Sequence, residues 1–318
     1  MTMTSLIFHH YPNSPFSEKI RLIFGYKKLA WQSVIVPTTM PKPDVLALTG
    51  GYRRTPILQI GAHVYCDTAL IADKLEALCP TPSLYPVASA GVARHLAQWA
   101  DNSLFWAAIT YVFQPAAMAQ IFANVPPEQV QAFGADRAAM RGNAPRMSVA
   151  EATGQLEEYL RRTEATLANG QPYLLGNELC IADFSVYQAL WLVRRVPAVA
   201  SILQPYEKLL AWMDRVAAVG HGTSEKMKSE QAIQIAHDTD LDDELLFNGG
   251  LPLTDYHQIA IGERVAITPT DYALDPVEGS LLINAANEFA VLREDERAGQ
   301  VIVHFPRIGF QMKPIKKI

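Results

Sequence analysis

The chain opens on a short apolar run, Leu6-Ile7-Phe8-His9-His10, of the kind that forms a buried strand. From Ser17 to Gly25 the period changes to that of a helix, with Ile20, Ile23 and Phe24 on one face. Trp31 to Val36 is rich in strand formers, and Asp44 to Leu48 reads as a short helix stopped by Gly50-Gly51. Thr55 to Tyr65 has the pattern of a hairpin turning at Gly61-Ala62, and Asp67 to Leu78 is an amphipathic helix. The order β-α-β-α-β-β-α predicts a mixed sheet covered by helices.

Residues 88–219 carry helical periodicity almost throughout. One stretch runs from Ala90 to about Ala123 with a break near Gln114-Pro115. A second starts at the capping box Ser148-Val149-Ala150-Glu151 and runs to Leu167. A third spans Ile181 to Val196, and a fourth, Pro205 to Val219, has Pro in its first turn and Gly220 past its end. Val125 to Arg146, with Pro126-Pro127 and Gly142-Asn143, is expected to be loop-rich.

After Gly220 the pattern changes. Glu225 to His237 reads as a helix. Five short β-type runs follow: Arg264 to Thr268, Gly279 to Ile283, Glu288 to Arg293, Gln300 to Phe305 and Phe310 to Ile315. Their spacing predicts a small SH3-like β-barrel. The charge shifts at the same place. Residues 1–220 carry a net of +2 and the remainder a net of −7, so a domain boundary is placed near Gly220. The expected division is 1–82, 88–220, an acidic linker over 221–262, and the β domain over 263–318. The acidic run Asp238 to Glu244 mimics the start of a calcium loop. However, Asp243 stands where that loop needs Gly and Gly249 where it needs Glu, so a solvated linker is expected.

Composition narrows the function. With 49% apolar and 19% charged residues the chain is long enough for a large core and unlike a disordered segment. Its formal net charge of −5 argues against a nucleic-acid partner. No stretch has the length and apolarity of a membrane span, and Met1 to Phe8 lacks the basic start of a signal peptide. Cys66, Cys79 and Cys180 form no CxxC pair, so a cytoplasmic location is expected. No phosphate loop, zinc-protease or nucleophile-elbow motif is present. His9 and His10 are adjacent in a predicted strand and point to opposite faces, so they cannot readily chelate one metal.

Several local sequences, in order, resemble the cytosolic glutathione S-transferase superfamily over about residues 5–219. Tyr11-Pro12-Asn13-Ser14-Pro15-Phe16 is similar to the S-P-F motif of the tau class, or the C-P-F motif of the omega class with Ser for Cys. Arg54-Thr55-Pro56 resembles the basic-Val-Pro segment whose proline is cis, with Thr replacing Val. Asp67-Thr68 resembles the acidic-Ser pair that opens the third helix. Leu179-Cys180-Ile181-Ala182-Asp183 and Leu210-Ala211-Trp212-Met213-Asp214-Arg215 resemble two helical-domain motifs, with Cys180 in place of a capping Ser or Thr. The resemblance implies a thioredoxin-like first domain, a helical-bundle second domain and glutathione as cosubstrate, with no metal.

The chemistry is intelligible from the residues. A thiol of ordinary pKa, roughly 8.5, is mostly unreactive at neutral pH. A hydroxyl at a helix N-terminus, where N–H groups and the dipole favour anions, stabilises its thiolate. Ser14 stands at such a place, with Ser17 and Tyr11 as alternatives; helix capping is the plainer role for Ser14. By resemblance, the Thr55 backbone before Pro56 meets the cysteinyl part of glutathione. Asp67 and Thr68 receive its γ-glutamyl end, a role that helix capping does not exclude. Arg54, and less directly Lys42, meets the glycyl carboxylate; the competing role for Arg54 is a surface charge. Cys66, beside the Asp67-Thr68 pair, reads as a small buried hydrophobe rather than a redox thiol.

On the first long helix Trp106 and Phe113 share a face with Asn102 and Ile109. With Tyr11 they are candidates for an apolar second-substrate pocket, although such a stripe also suits core packing. The resemblance implies detoxification of an apolar electrophile, and a homodimer. The β domain is expected to serve as a lid, an oligomer contact or a protein-binding surface. Two other functions remain open: a non-catalytic scaffold or glutathione-binding protein, and a glutathione-dependent thiol-disulfide reductase or peroxidase.

Overall fold

Strand β1 (Ile7–His10) is buried at every position, pairing in parallel with β2 (Ala30–Ile35) and antiparallel with β3 (Ile57–Ile60). A strand covered on both faces has no solvent side to show, so Ile7 and Phe8 are both enclosed, and the buried His9 and His10 are bonded to Gln59 and Ser33. The computed structural model describes residues 5–142, 144, 146–241 and 257–315. β4 (His63–Cys66) follows β3 through a turn at Gly61, where φ is +59°. Helices α1 (Pro15–Tyr26) and α3 (Thr68–Leu78) share a core with the helical half of the chain. Helix α2 (Pro43–Thr49) belongs to the core on the other face.

The helical half begins with α4 (Ala90–Trp99), passes through a π-helical turn at Ala100–Leu104, and continues as α5 (Phe105–Val112) and α6 (Pro115–Ile121). It is completed by α7 (Pro127–Arg141), α8 (Val149–Leu167), α9 (Ile181–Arg194) and α10 (Glu207–Ala217). Helix α9 is the buried axis of this half. At its start the fully buried Asp183 carboxylate accepts from Leu174 N, Cys180 N and Trp212 Nε1 at 2.9, 3.0 and 2.9 Å. Asp183 thereby anchors the helix start, where Cys180 stands in place of a capping Ser or Thr. No single helix among the described residues is long and apolar enough to cross a membrane.

Two segments differ from expectation. The stretch taken as loop-rich, Val125 to Arg146, contains the fifteen-residue helix α7. It opens on proline and is rich in good helix formers, but it buries no residue, so no apolar stripe announces it. The helix expected over Glu225 to His237 begins later, as α11 (Ser229–Asp238). Before it, β5 (Thr223–Lys226) is an exposed strand pairing in parallel with β2. Of the acidic run after α11, Asp242 to Glu244 lie outside the described residues.

The extra C-terminal β region consists of β6 (Arg264–Pro269), β7 (Val277–Asn284), β8 (Glu288–Asp295), β9 (Gly299–Pro306) and β10 (Phe310–Pro314). Its first strand pairs with both the second and the last, giving the order β10-β6-β7-β8-β9. β9 then pairs in parallel with β4, with Tyr65 opposite His304, so the thioredoxin-like sheet and the C-terminal strands form one ten-stranded sheet. Ile7, Val34, Leu48 and Tyr52 share a core with Val265, Val277, Phe289, Phe305 and Phe310.

Two outcomes follow. A Cβ at Gly25 in α1 would run into the backbone carbonyl of Gly220. Gly25→Ala is therefore expected to cost about 1–3 kcal/mol in denaturant unfolding. His9, fully enclosed and bonded through Nε2 to Gln59 Oε1 at 2.8 Å, has its pKa pushed down by burial to about 4. A folded-state pKa below the unfolded one, about 6.5, leaves stability intact above 6.5 and removes it as pH falls through that value toward 4. His9→Gln is expected to flatten the pH dependence of urea unfolding in that window, by up to about 1.4 kcal/mol per pH unit.

Candidate functional site

The start of α1 is set by Ser14, the N-cap, whose Oγ accepts from Ser17 N at 3.1 Å. Ser14 is buried, and this bond uses only an acceptor lone pair, leaving its O–H as a donor. Ser17 Oγ is buried with no hydrogen-bond partner. Tyr11, half-buried, lies with its ring 6.0 Å from Lys42 Nζ. Lys42 is itself buried and donates to Arg53 O at 3.2 Å and Thr55 Oγ1 at 3.3 Å. Burial, with help from Arg137, pulls its ammonium down to about 8.

The Thr55-Pro56 bond is cis and precedes β3. Across the sheet, Asp67 takes φ +73° and caps α3 by accepting from Ala69 N at 2.9 Å. Such a backbone is uncommon for a non-glycine residue and is held here by the cap. Burial pushes the Asp67 carboxyl up, Asp101 adds to that, and the Ala69 N–H, Arg54 and Lys19 oppose it. Thr68 Oγ1 accepts from Lys19 Nζ at 3.2 Å, and Lys19 Nζ pairs with Asp101 Oδ2 at 2.6 Å. Asp101 sits in the π-helical turn and is further held by Ser185 Oγ at 3.3 Å. A π turn re-aims side chains at a point in a helix and recurs at functional sites.

Arg54, Thr55, Pro56, Asp67 and Thr68 all line one cleft, joined by Phe16, Tyr52 and Asp101. Its remaining walls, Asp271 and Tyr272, come from the loop between β6 and β7. Arg54 Nη2 pairs with Asp271 Oδ1 at 2.5 Å and also donates to Tyr272 O. The Arg54 guanidinium lies 3.8 Å from the centre of the Tyr272 ring, and that ring meets Trp106 edge-on at 5.3 Å. With Tyr272 in place the cleft has a volume of about 70 Å3. Ligand pockets are usually about 300–1,000 Å3.

The other candidates lie apart from these walls. Phe113 stacks on Phe133 of α7 at 6.0 Å. Cys66 and Cys180 are buried, and burial raises both thiols, Cys180 to about 12. A reactive cysteine needs the opposite shift. A second, open depression of about 460 Å3 lies between Gly50, Arg264, Pro276, Glu278, Arg293 and Glu294. Its charges are largely matched, with Arg264 near Glu278 and Arg293 near Asp295. Among the described residues, no group of His, Cys, Asp and Glu is placed to hold a metal ion.

Sequence reasoning missed Lys19, Asp101, Asp271 and Tyr272. Asp101 lies on the helix whose apolar face was read, beside Asn102, but a regular period does not reveal a π turn. Asp271 and Tyr272 lie between Pro269 and Pro276 and read as turn residues. Asp101→Asn is expected to cost about 3 kcal/mol in denaturant unfolding, because Lys19, 1% exposed, loses its carboxylate partner. Adding Lys19→Met should recover much of that loss, as a double-mutant cycle will show.

Comparison with known proteins identifies the family. Residues 8–83 match the glutathione S-transferase N-terminal domain family and residues 105–219 the C-terminal domain family. A crystal structure of a GST-like protein from Pseudomonas syringae is 38% identical, with a TM-score of 0.80, and covers 98% of this chain and 100% of its own. A glutathione S-transferase from Rhodospirillum rubrum is 20% identical, with a TM-score of 0.52, over 67% of this chain and 88% of its own. A Tau class enzyme from mango, Mangifera indica, is 16% identical, with a TM-score of 0.51, over 67% and 89%. The last two speak for the fold alone. No match was found among curated proteins. With both domain families in order and a near full-length relative that shares the C-terminal strands, this chain belongs to the glutathione S-transferase family.

Proposed function

We propose that the protein is a glutathione transferase that ionises the bound thiol and directs it at a small apolar electrophile. The observation that carries this proposal is convergence. The residues singled out for glutathione, Arg54-Thr55-Pro56 and Asp67-Thr68, flank the β3–β4 hairpin at its two ends and line one cleft. Asp67, with Asp101 nearby, suits the γ-glutamyl ammonium; Thr68 at the start of α3 suits its carboxylate; Arg54 suits the glycyl carboxylate. Ser14, capping α1 with its O–H uncommitted, is the proposed hydrogen-bond donor to sulfur. Ser17 and Tyr11 are its substitutes. Trp106 reaches the cleft through Tyr272, which makes the Trp106 side the proposed entry for the second substrate. Family members are typically cytosolic dimers, and the same is proposed here.

A second function, glutathione binding without catalysis, is favoured by one observation: Ser14 is only 1% exposed. Disulfide exchange is disfavoured by the serine at position 14 and by the raised thiols of Cys66 and Cys180.

Ultraviolet titration of the glutathione complex tests the proposal. The bound thiol is expected to ionise well below its free pKa, roughly 8.5, and to return toward it in Ser14→Ala. Conjugation should fall by about 100-fold, the usual scale for losing one donor to a developing anion. A separate loss of about 1 kcal/mol in stability should accompany the missing cap. An unshifted thiol in the wild-type complex would favour the binding-only function.

A further inference from the structure

The loop that carries Asp271 and Tyr272 places a carboxylate and an aromatic ring on the one cation proposed to receive a substrate carboxylate. We infer that this β6–β7 loop is an internal gate: Asp271 is a built-in competitor for Arg54, and a carboxylate ligand enters by displacing it. The inference deepens the glutathione proposal, because the ligand it excludes is the one that proposal assigns to Arg54.

Three features support a gate rather than a fixed wall. First, the Arg54 fork is only partly used: Nη2 serves Asp271 and Tyr272, while the buried Nε has no hydrogen-bond partner. A guanidinium binds a carboxylate best through two parallel N–H groups, so an incoming ligand has a stronger geometry available than the loop uses. Second, the loop is held chiefly by polar contacts. Ala273 N donates to Met140 O of α7 at 2.6 Å, and Thr270 N and Oγ1 both donate to Gly309 O. The side chain of Asp271 is 36% exposed, and Leu274 points outward. Ala273 takes φ +46°, an uncommon backbone for alanine.

Third, α7, the element to which the loop is tied, is itself lightly docked. It buries no residue and reaches the first domain through polar links. Asp136 pairs with Arg53 and accepts from Met40 N, and Arg137 donates to Thr38 O. Segments with few buried apolar contacts open at low cost. Loop and helix together form a strap across Met40, Arg53 and Arg54, and Trp106 abuts its aromatic tip. The narrow cleft is thus the closed state of a larger one.

The test compares the full chain with the double variant Asp271→Ala, Tyr272→Ala and the shape-preserving Asp271→Asn, folding being checked by circular dichroism. Two readouts are taken: the rate at which phenylglyoxal modifies Arg54, followed by mass spectrometry, and glutathione affinity by calorimetry. Arg54 should be modified several-fold faster in the double variant, with Asp271→Asn between the two proteins. Glutathione should bind about tenfold tighter to the double variant, while its glycyl ethyl ester, which lacks the competing carboxylate, should gain little. Equal modification rates would overturn the gate, and so would weaker glutathione binding, since the loop would then be a wall that contributes contacts. Faster modification with no glutathione binding to any of the proteins would uphold the gate and overturn the glutathione proposal.

Discussion

The parallel pairing of β9 with β4 is the contact on which the rest of the molecule depends. An exposed edge strand is a row of unsatisfied donors and acceptors, and a protein must cover it or accept promiscuous pairing. Here the cover is intramolecular: His63, Val64 and Tyr65 of β4 face Ile302, Val303 and His304 of β9. Once that ladder forms, the C-terminal strands are no longer an appendage. Their apolar faces close over α2 and the back of the first sheet, with Tyr52 against Phe305 and Phe310.

The seam is polar on its other face. His63 Nδ1 lies 2.9 Å from His304 Nε2, His304 Nδ1 is bonded to Glu288 Oε1, and the Tyr65 ring stacks on His304 at 4.4 Å. Hydrogen bonds in a buried junction reinforce the register, because a slip by one residue leaves every partner unpaired and turns each apolar side chain to the other face. Register at this seam fixes where the β6–β7 loop emerges, and hence that Asp271 and Tyr272 arrive over Arg54. A contact made at the edge of one sheet thereby determines the shape of a cleft on another side of the domain.

The cleft draws its charge from distant parts of the chain. Lys19 on α1, Asp67 before α3 and Asp101 in the π turn stand within one electrostatic group. The π turn matters because it brings the Asp101 carboxylate to the buried Lys19 ammonium, which would otherwise be an uncompensated charge. Asp183 plays the corresponding part in the helical half, tying the start of α9 to Trp212 of α10.

Much of this was legible before any coordinates. The strand and helix periods of the first half, the capping box at Ser148 and the five C-terminal β runs each express a local rule, since side-chain period and turn chemistry act over a few residues. The motifs around Ser14, Thr55-Pro56 and Asp67-Thr68 were legible for the same reason: each is a short backbone device at the end of an element. Helix α7 and strand β5 were not, because neither buries the apolar stripe from which a period is read. The sequence by itself determined most of the elements, the family and most of the residues that line one side of the cleft. Only the tertiary structure decided that a loop more than two hundred residues beyond Arg54 closes the other side. That outcome rests on strand-edge pairing, in which almost any extended segment offers the same backbone groups, so the partner is chosen by the packing of the whole chain.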